Sequence, residues 1–234
     1  MRAAILAGGM GMRMRPYTTV VPKPLIPIGE RPILELIVRQ LAARGFTEVD
    51  LLIGHLGALI RAYFEESASV PDGLELRYHW ESEPMGTAGA LHQIEPPEGP
   101  LLVMNGDILT TLDYGELVRF HASEGAALTI ATHSKEVQLA LGVVEGSGAV
   151  VEGWVEKPTL RYEVSMGIYV YSPRALEHVP TARFGIPDVV FALLGAGEGV
   201  RRFHFDGPWF DIGTPPEHER AVAAYDADPQ PFEA

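Results

Sequence analysis

Apolar residues arrive along this chain in short blocks, and the spacing inside successive blocks alternates between two periods. Residues 2–7, RAAILA, are a compact apolar run closed by two glycines, the pattern of a buried strand. In residues 31–45, RPILELIVRQLAARG, the positions Ile33, Leu36, Ile37 and Leu41 recur on one face of a 3.6-residue repeat. Pro32 suits a first helical turn and Gly45 a terminal cap, so a helix is predicted there. The alternation continues with strands over 48–54, 74–80, 100–107 and 126–132. Between them, helices are expected over 56–66, from 86 to 94, and over 113–125. Strands joined through helices build a mostly parallel sheet with helices on both faces. The predicted class is therefore doubly wound α/β.

The rhythm changes after about residue 140. LGVVEG, VVEGWVEKP and YEVSMGIYVYS read as strands with little helix between them. Helices return around IPDVVFALLGAG and PPEHERAVAAYDA. No linker rich in Ser, Gly or Pro separates the halves. The extra strands are expected to extend the same sheet, as one domain over 1–225 whose character shifts near residue 135. The tail 226–234, DADPQPFEA, is expected to fray.

Composition narrows the possibilities. At 234 residues and 47% hydrophobic, the chain can bury an ordinary core. Its 18 basic residues against 31 acidic ones give a charge of −13, which argues against a nucleic-acid partner. A locally positive pocket remains compatible with that balance. There are no cysteines, so disulfides and thiolate metal sites are excluded, and a reducing compartment fits. The N-terminal AAILA is too short for a signal peptide, and no run approaches the ~20 apolar residues of a membrane helix. A cytoplasmic protein without a membrane partner is expected, as a monomer or a homodimer.

The chemistry concentrates in residues 6–16, LAGGMGMRMRP. A glycine-rich loop after a strand lets the backbone approach a ligand and turns its N–H groups toward anionic oxygens. A bare tight turn is the plainer alternative. Neither the phosphate loop with its Lys-Ser/Thr pair nor the dinucleotide fingerprint fits these residues. Arg13 and Lys23, the latter set between Pro22 and Pro24, put two cations on one stiffened loop, as a phosphate chain requires.

LAGGMGMRMRPYTTVVPKPLIPIGERPI closely resembles the signature of sugar-1-phosphate nucleotidyltransferases. The later stretches EPMGTAGAL, VMNGD, EKP, GIYV and WFDIGTP follow in the family's order, so the resemblance spans roughly residues 1–225. It implies a Rossmann-like fold with a nucleotide half over 1–135 and a sugar-phosphate half over 136–225. The implied reaction is that of an NTP with a sugar 1-phosphate, giving an NDP-sugar and pyrophosphate with Mg²⁺. Such a site must hold two anions against each other and neutralise their shared charge. The resemblance assigns Leu6, Ala7, Gly8, Gly9, Gly11 and Met12 to the nucleotide, with Arg13 and Lys23 supplying charge. It makes Asp107 and Asp211 the metal ligands and adds Asn105, Gly86 and Thr87 to the nucleotide side. Glu81 or Glu83 would accept the N–H donors of a guanine, GTP being the favoured nucleotide and mannose 1-phosphate the favoured acceptor. Lys157 would hold the sugar phosphate, Glu156 the sugar hydroxyls, and Gly142, Ser165 and Gly167 would complete the sugar side.

Three departures qualify the resemblance. Met12 stands where Thr or Ser is usual, removing a hydroxyl and weakening the expected grip on the nucleotide. Ser165 replaces a common Asn near the sugar. No repeat domain follows the last predicted helix, so acetyl transfer or β-helix assembly is not expected. The same scaffold also admits thymidylyl or uridylyl transfer to glucose 1-phosphate, cytidylyl transfer to a non-sugar phosphate, or a silent nucleotide-sugar sensor.

Overall fold

The computed structural model describes residues 1–67, 69–81, 85–179 and 184–233. In chain order, the strands are β1 (Arg2–Ala7), β2 (Pro27–Ile28), β3 (Arg31–Pro32), β4 (Glu48–Ile53), β5 (Glu75–Trp80), β6 (Leu101–Asn105), β7 (Ile108–Thr110), β8 (Leu128–Gln138), β9 (Val143–Ser147), β10 (Val150–Val155), β11 (Thr159–Tyr171), β12 (Val200–His204) and β13 (Trp209–Asp211). The helices are α1 (Ile33–Ala43), α2 (Gly57–Glu66), α3 (Gly86–Gly89), α4 (Tyr114–Ser123), α5 (Pro173–Leu176), α6 (Ile186–Gly195), α7 (Pro215–Ala227) and α8 (Gln230–Glu233).

Seven strands form one sheet in the order β12-β8-β11-β6-β1-β4-β5. β5, β4, β1 and β6 run parallel, as do β8 and β12, and β11 alone is antiparallel to both its neighbours. The expected mostly parallel, mixed sheet is therefore present. The chain leaves β1 toward β4 and β5, then returns to place β6 on the other side of β1. Ligands of such sheets bind at this reversal, beyond the carboxyl ends of the two strands. Leu6 lies opposite Asn105 in the ladder, so the loops after β1 and β6 start side by side.

Both faces of the sheet carry a core. The larger one gathers Ile5, Leu51, Met104 and Val170 with helix α1, and the other gathers Val103, Tyr171 and Leu193. Ile33, Leu36, Ile37 and Leu41 are all buried, as their periodicity predicts. Pro32 is the residue just before the first helical turn, and Gly45 follows the last one at φ +80°, a left-handed position that favours glycine.

Two features of the chain differ from the sequence expectation. The tail does not fray: Phe232 is buried, and its carbonyl accepts a hydrogen bond of 2.9 Å from the Gln40 amide. Arg31 pairs with Glu233 at 2.6 Å. One aromatic side chain in a polar tail anchors the terminus, since burying it is worth about 2–3 kcal/mol. The strand expected to end at residue 132 continues to Gln138, paired along its outer half with β11. The strands β7 and β13, three residues each, are fixed by pairing with each other, and β12 by pairing with β8.

Candidate active site

The reversal point opens into a cleft of about 460 Å³. Its floor is the loop after β1. Gly11 sits at φ +58°, and a Cβ there would lie 2.8 Å from the Thr18 methyl. The Thr18 hydroxyl donates to the Gly11 carbonyl at 2.8 Å, closing the loop on itself. Gly8 is bare for a different reason. A Cβ at Gly8 would stand 3.0 Å from the Glu81 carboxylate, while Gly54 packs on the Gly8 backbone from below. Glu81 is positioned by its own N–H, which donates to Ile53 at 2.8 Å, and its carboxylate accepts from the Met85 backbone. Burial raises the Glu81 carboxyl above the ordinary glutamate range.

Lys23 reaches across the cleft and donates to the Asp107 carboxylate. Both side chains are less than one-fifth exposed. The Asp107 carboxyl is pushed up by burial and pulled down by the Lys23 ammonium, and the Asp211 charge raises it further. Asp211 arrives through β13, whose pairing with β7 sets it opposite Ile108. The Ile212 N–H donates to the Asp107 carbonyl at 3.1 Å and fixes that junction. Arg13 crosses to the same segment, its guanidinium lying where a Cβ on Gly213 would be 3.1 Å away. A glycine at 213 is thus the space Arg13 needs, and the sequence reading missed it although DIGT was in view.

Leu6, Ala7, Gly8, Gly9, Gly11, Met12, Arg13, Lys23, Glu81, Gly86, Thr87, Asn105 and Asp107 all line this cleft. Asp211 adjoins it through Asp107. Met12 is exposed at the start of a single 3₁₀ turn over Met12–Met14. The Thr87 hydroxyl accepts from the Ile186 N–H at 3.3 Å and so ties the loop to helix α6. Glu83 lies outside the described residues.

The expected sugar-side residues do not line the cleft. Glu156 and Lys157 are exposed, with Lys157 at φ +46°, in the turn between β10 and β11. The space beside Gly142 is filled by the Trp154 indole, which would be 2.2 Å from a Cβ. The Trp154 N–H donates to Glu156 at 3.1 Å. Gly142 is therefore bare to admit a tryptophan, and Trp154 was not among the residues the sequence singled out for the sugar. The Ser165 hydroxyl is engaged with Tyr169 at 2.9 Å and with the Gly167 N–H at 3.2 Å, where the β11 register shifts. Gly167, at φ +74°, lets β11 press on the Asn105 amide, which would be 2.7 Å from a Cβ.

Among the described residues no group of three or more His, Cys, Asp or Glu gathers as a metal cage. The Asp107–Asp211 pair offers only hard oxygen donors, and each carboxylate opposes the other's charge. That donor set suits a divalent cation that takes one or two protein carboxylates and completes its shell with phosphate oxygens and water.

A doubly wound sheet whose switch point carries a glycine loop, two cations and a carboxylate pair defines an α/β protein with a charged, glycine-lined cleft. The chain belongs to the nucleotidyl transferase family, whose model matches residues 2–227. It is 32% identical over 234 residues to a probable mannose-1-phosphate guanylyltransferase 1 of Oryza sativa, covering 96% of this chain and 64% of that protein. It is 30% identical over 245 residues to a UTP–glucose-1-phosphate uridylyltransferase of Synechocystis, covering 95% and 62%. The chain thus spans a little under two thirds of these relatives. Among solved structures, a putative glucose-1-phosphate thymidylyltransferase of Bacillus anthracis has the same fold, with a TM-score of 0.75 at 23% identity over 96% of this chain and 94% of that one. HddC of Yersinia pseudotuberculosis gives 0.71 at 25% identity over 96% and 99%.

Proposed function

We propose that the protein transfers a nucleotidyl group from an NTP to a sugar 1-phosphate with Mg²⁺, with GTP and mannose 1-phosphate as the favoured pair. The observation that carries this reading is the convergence of the glycine loop, Arg13, Lys23 and the Asp107–Asp211 pair on one cleft. The relatives named as mannose-1-phosphate guanylyltransferases support the choice of substrates. So does Glu81, a positioned carboxylate able to accept the N1–H and N2–H₂ donors of guanine.

In the proposed reaction an oxygen of the sugar phosphate attacks the α-phosphorus. The bond from that phosphorus to its bridging oxygen breaks, and pyrophosphate leaves with the electron pair. The nucleophile is ionised at neutral pH, so no general base is needed and the protein works by positioning and charge. The loop backbone over Gly8–Gly11 holds the triphosphate, and Arg13 and Lys23 offset its charge. Asp107 and Asp211 would hold Mg²⁺, which when bound neutralises phosphate oxygens.

Pyrophosphate release across a grid of GTP, dTTP, UTP, CTP and ATP against mannose, glucose, galactose and N-acetylglucosamine 1-phosphates tests the reading. Activity dominated by GTP and mannose 1-phosphate is expected. Uridylyl or thymidylyl transfer to glucose 1-phosphate would keep the reaction and replace the substrates, and a grid without turnover would refute the reaction.

Met12→Thr restores a hydroxyl at the lip of the loop. One added hydrogen bond is worth ~0.5–1.5 kcal/mol, so the KM for the NTP is expected to fall by roughly 2–10-fold with kcat little changed. An unchanged KM would show that the missing hydroxyl is not what limits nucleotide binding.

A further inference from the structure

The outer halves of β8 and β11 and the hairpin β9–β10 form an arm. It starts at the rim of the cleft, where Gly167 of β11 presses on Asn105. Within it, the segment before β9 meets the end of β10. Trp154 lies opposite Val144, and the ladder ends one pair further on, at Val155 and Val143. Beyond that pair Gly142 and Glu156 come together: a Cβ on Gly142 would stand 3.0 Å from a Glu156 carboxylate oxygen and 2.2 Å from the Trp154 ring. The Leu139 N–H donates to the Pro158 carbonyl at 3.0 Å, which fastens the chain before Gly142 to the turn that holds Glu156 and Lys157.

Packing alone does not account for this arrangement. Tryptophan is highly buried on average, yet the Trp154 side chain is committed through its N–H edge and remains 63% exposed. That N–H donates to Glu156 at 3.1 Å, so one carboxylate oxygen is fixed while the carboxylate keeps further sites that can accept. Lys157 holds a left-handed φ of +46°, a conformation that side chains rarely adopt and that gathers at ligand sites.

An open aromatic ring beside an oriented carboxylate suits a polyol that also has an apolar C–H face. The ring takes the C–H groups, and the carboxylate takes hydroxyl protons. The ammonium of the next residue adds a point charge for a phosphate. A pyranose 1-phosphate presents all three features.

We propose that Trp154 positions and stacks the second substrate: its N–H aims Glu156 at a hydroxyl of a pyranose 1-phosphate, and its open ring takes the C–H face of the sugar. This rests on the reading that the acceptor is a sugar 1-phosphate. Trp154→Phe keeps a ring and removes the N–H. With the sugar 1-phosphate that turns over best, it is expected to raise the KM for that sugar by roughly 3–10-fold, the worth of one hydrogen bond. The KM for GTP and kcat should change little. Trp154→Leu also removes the ring and is expected to raise the sugar KM further, to about tenfold or more above wild type. In a Glu156→Ala background, Trp154→Phe is expected to add nothing, because no carboxylate is left to aim. A tryptophan that only held the hairpin would cost as much in either background. Tryptophan emission on adding GDP-mannose gives a readout that needs no turnover, and Trp154→Phe should remove the larger part of its change. Equal effects in the two backgrounds, a GTP KM raised as much as the sugar KM, or an emission change undiminished in Trp154→Phe would each overturn the proposal. A wild type that turns over no sugar 1-phosphate would refute the reaction. A Trp154-dependent emission change would then still support the sugar contact, and its absence would overturn both.

Discussion

Asp107→Asn is expected to lower pyrophosphate release by roughly 10²–10³-fold, the usual cost of losing one preorganised charge-stabilising group, while leaving the protein at least as stable as wild type. Loss of activity follows from position: Asp107 ends the cleft at the switch point, bonded to Lys23 and beside Asp211. The stability follows from linkage. Burial raises the Asp107 carboxyl despite the pull of Lys23. A carboxyl whose folded pKa is raised binds its proton more tightly in the folded state, so protonation favours folding there. Asparagine resembles the protonated form and keeps an oxygen for Lys23. The melting temperature should therefore hold or rise, the pattern of a residue kept for function against local stability. Turnover and thermal unfolding measured on one preparation check both parts. Full activity would remove Asp107 from the site. A loss of several degrees would show that Lys23 cannot tolerate a neutral partner. Retained binding of GDP-mannose with wild-type turnover already absent would favour a sensor.

The part of the site that was legible in the sequence is the part made by local chain. Gly8, Gly11, Arg13 and Lys23 lie within sixteen residues, and their glycines and prolines announce an irregular, charged loop before any strand pairing is known. Helix α1 was legible because its apolar residues recur on one face, and that face is buried in the larger core. What escaped was made at long range. Gly213 matters because Arg13 crosses two hundred residues to lie on it. β7 and β13 are three-residue strands that exist only as each other's partners. Phe232 fixes the tail through Gln40, which also donates to the Thr110 carbonyl at 2.9 Å. The sugar-side residues depend on long-range pairing too: a motif names Gly142, Glu156 and Lys157, and the pairing of β8 with β11 sets them on an arm, where Trp154 occupies the space that Gly142 leaves.

Gly86→Ala is expected to be the most damaging single methyl in the cleft, and Gly73→Ala is its control. Both glycines lie near φ +80°, so each alanine meets the same left-handed strain, of order 1 kcal/mol. Around Gly73 there is nothing within 4 Å, and its variant should lose little more than that. At Gly86 the new Cβ would lie 2.5 Å from the Phe184 carbonyl oxygen, a backbone atom held in place by the N–H groups of Ala88 and Gly89. Those bonds, with Thr87 accepting from Ile186, fasten the cleft wall to the start of α6. Relief of the clash must part the two segments and expose that buried seam, so a further ~1–3 kcal/mol is expected. The wall carries Gly86 and Thr87 and stands beside Glu81, so the KM for the NTP should rise at least tenfold in Gly86→Ala and stay unchanged in Gly73→Ala. Equal losses of stability in the two variants would mean that the 184–186 segment does not brace the cleft. A destabilised Gly86→Ala with an unaltered KM would place the nucleotide away from this wall.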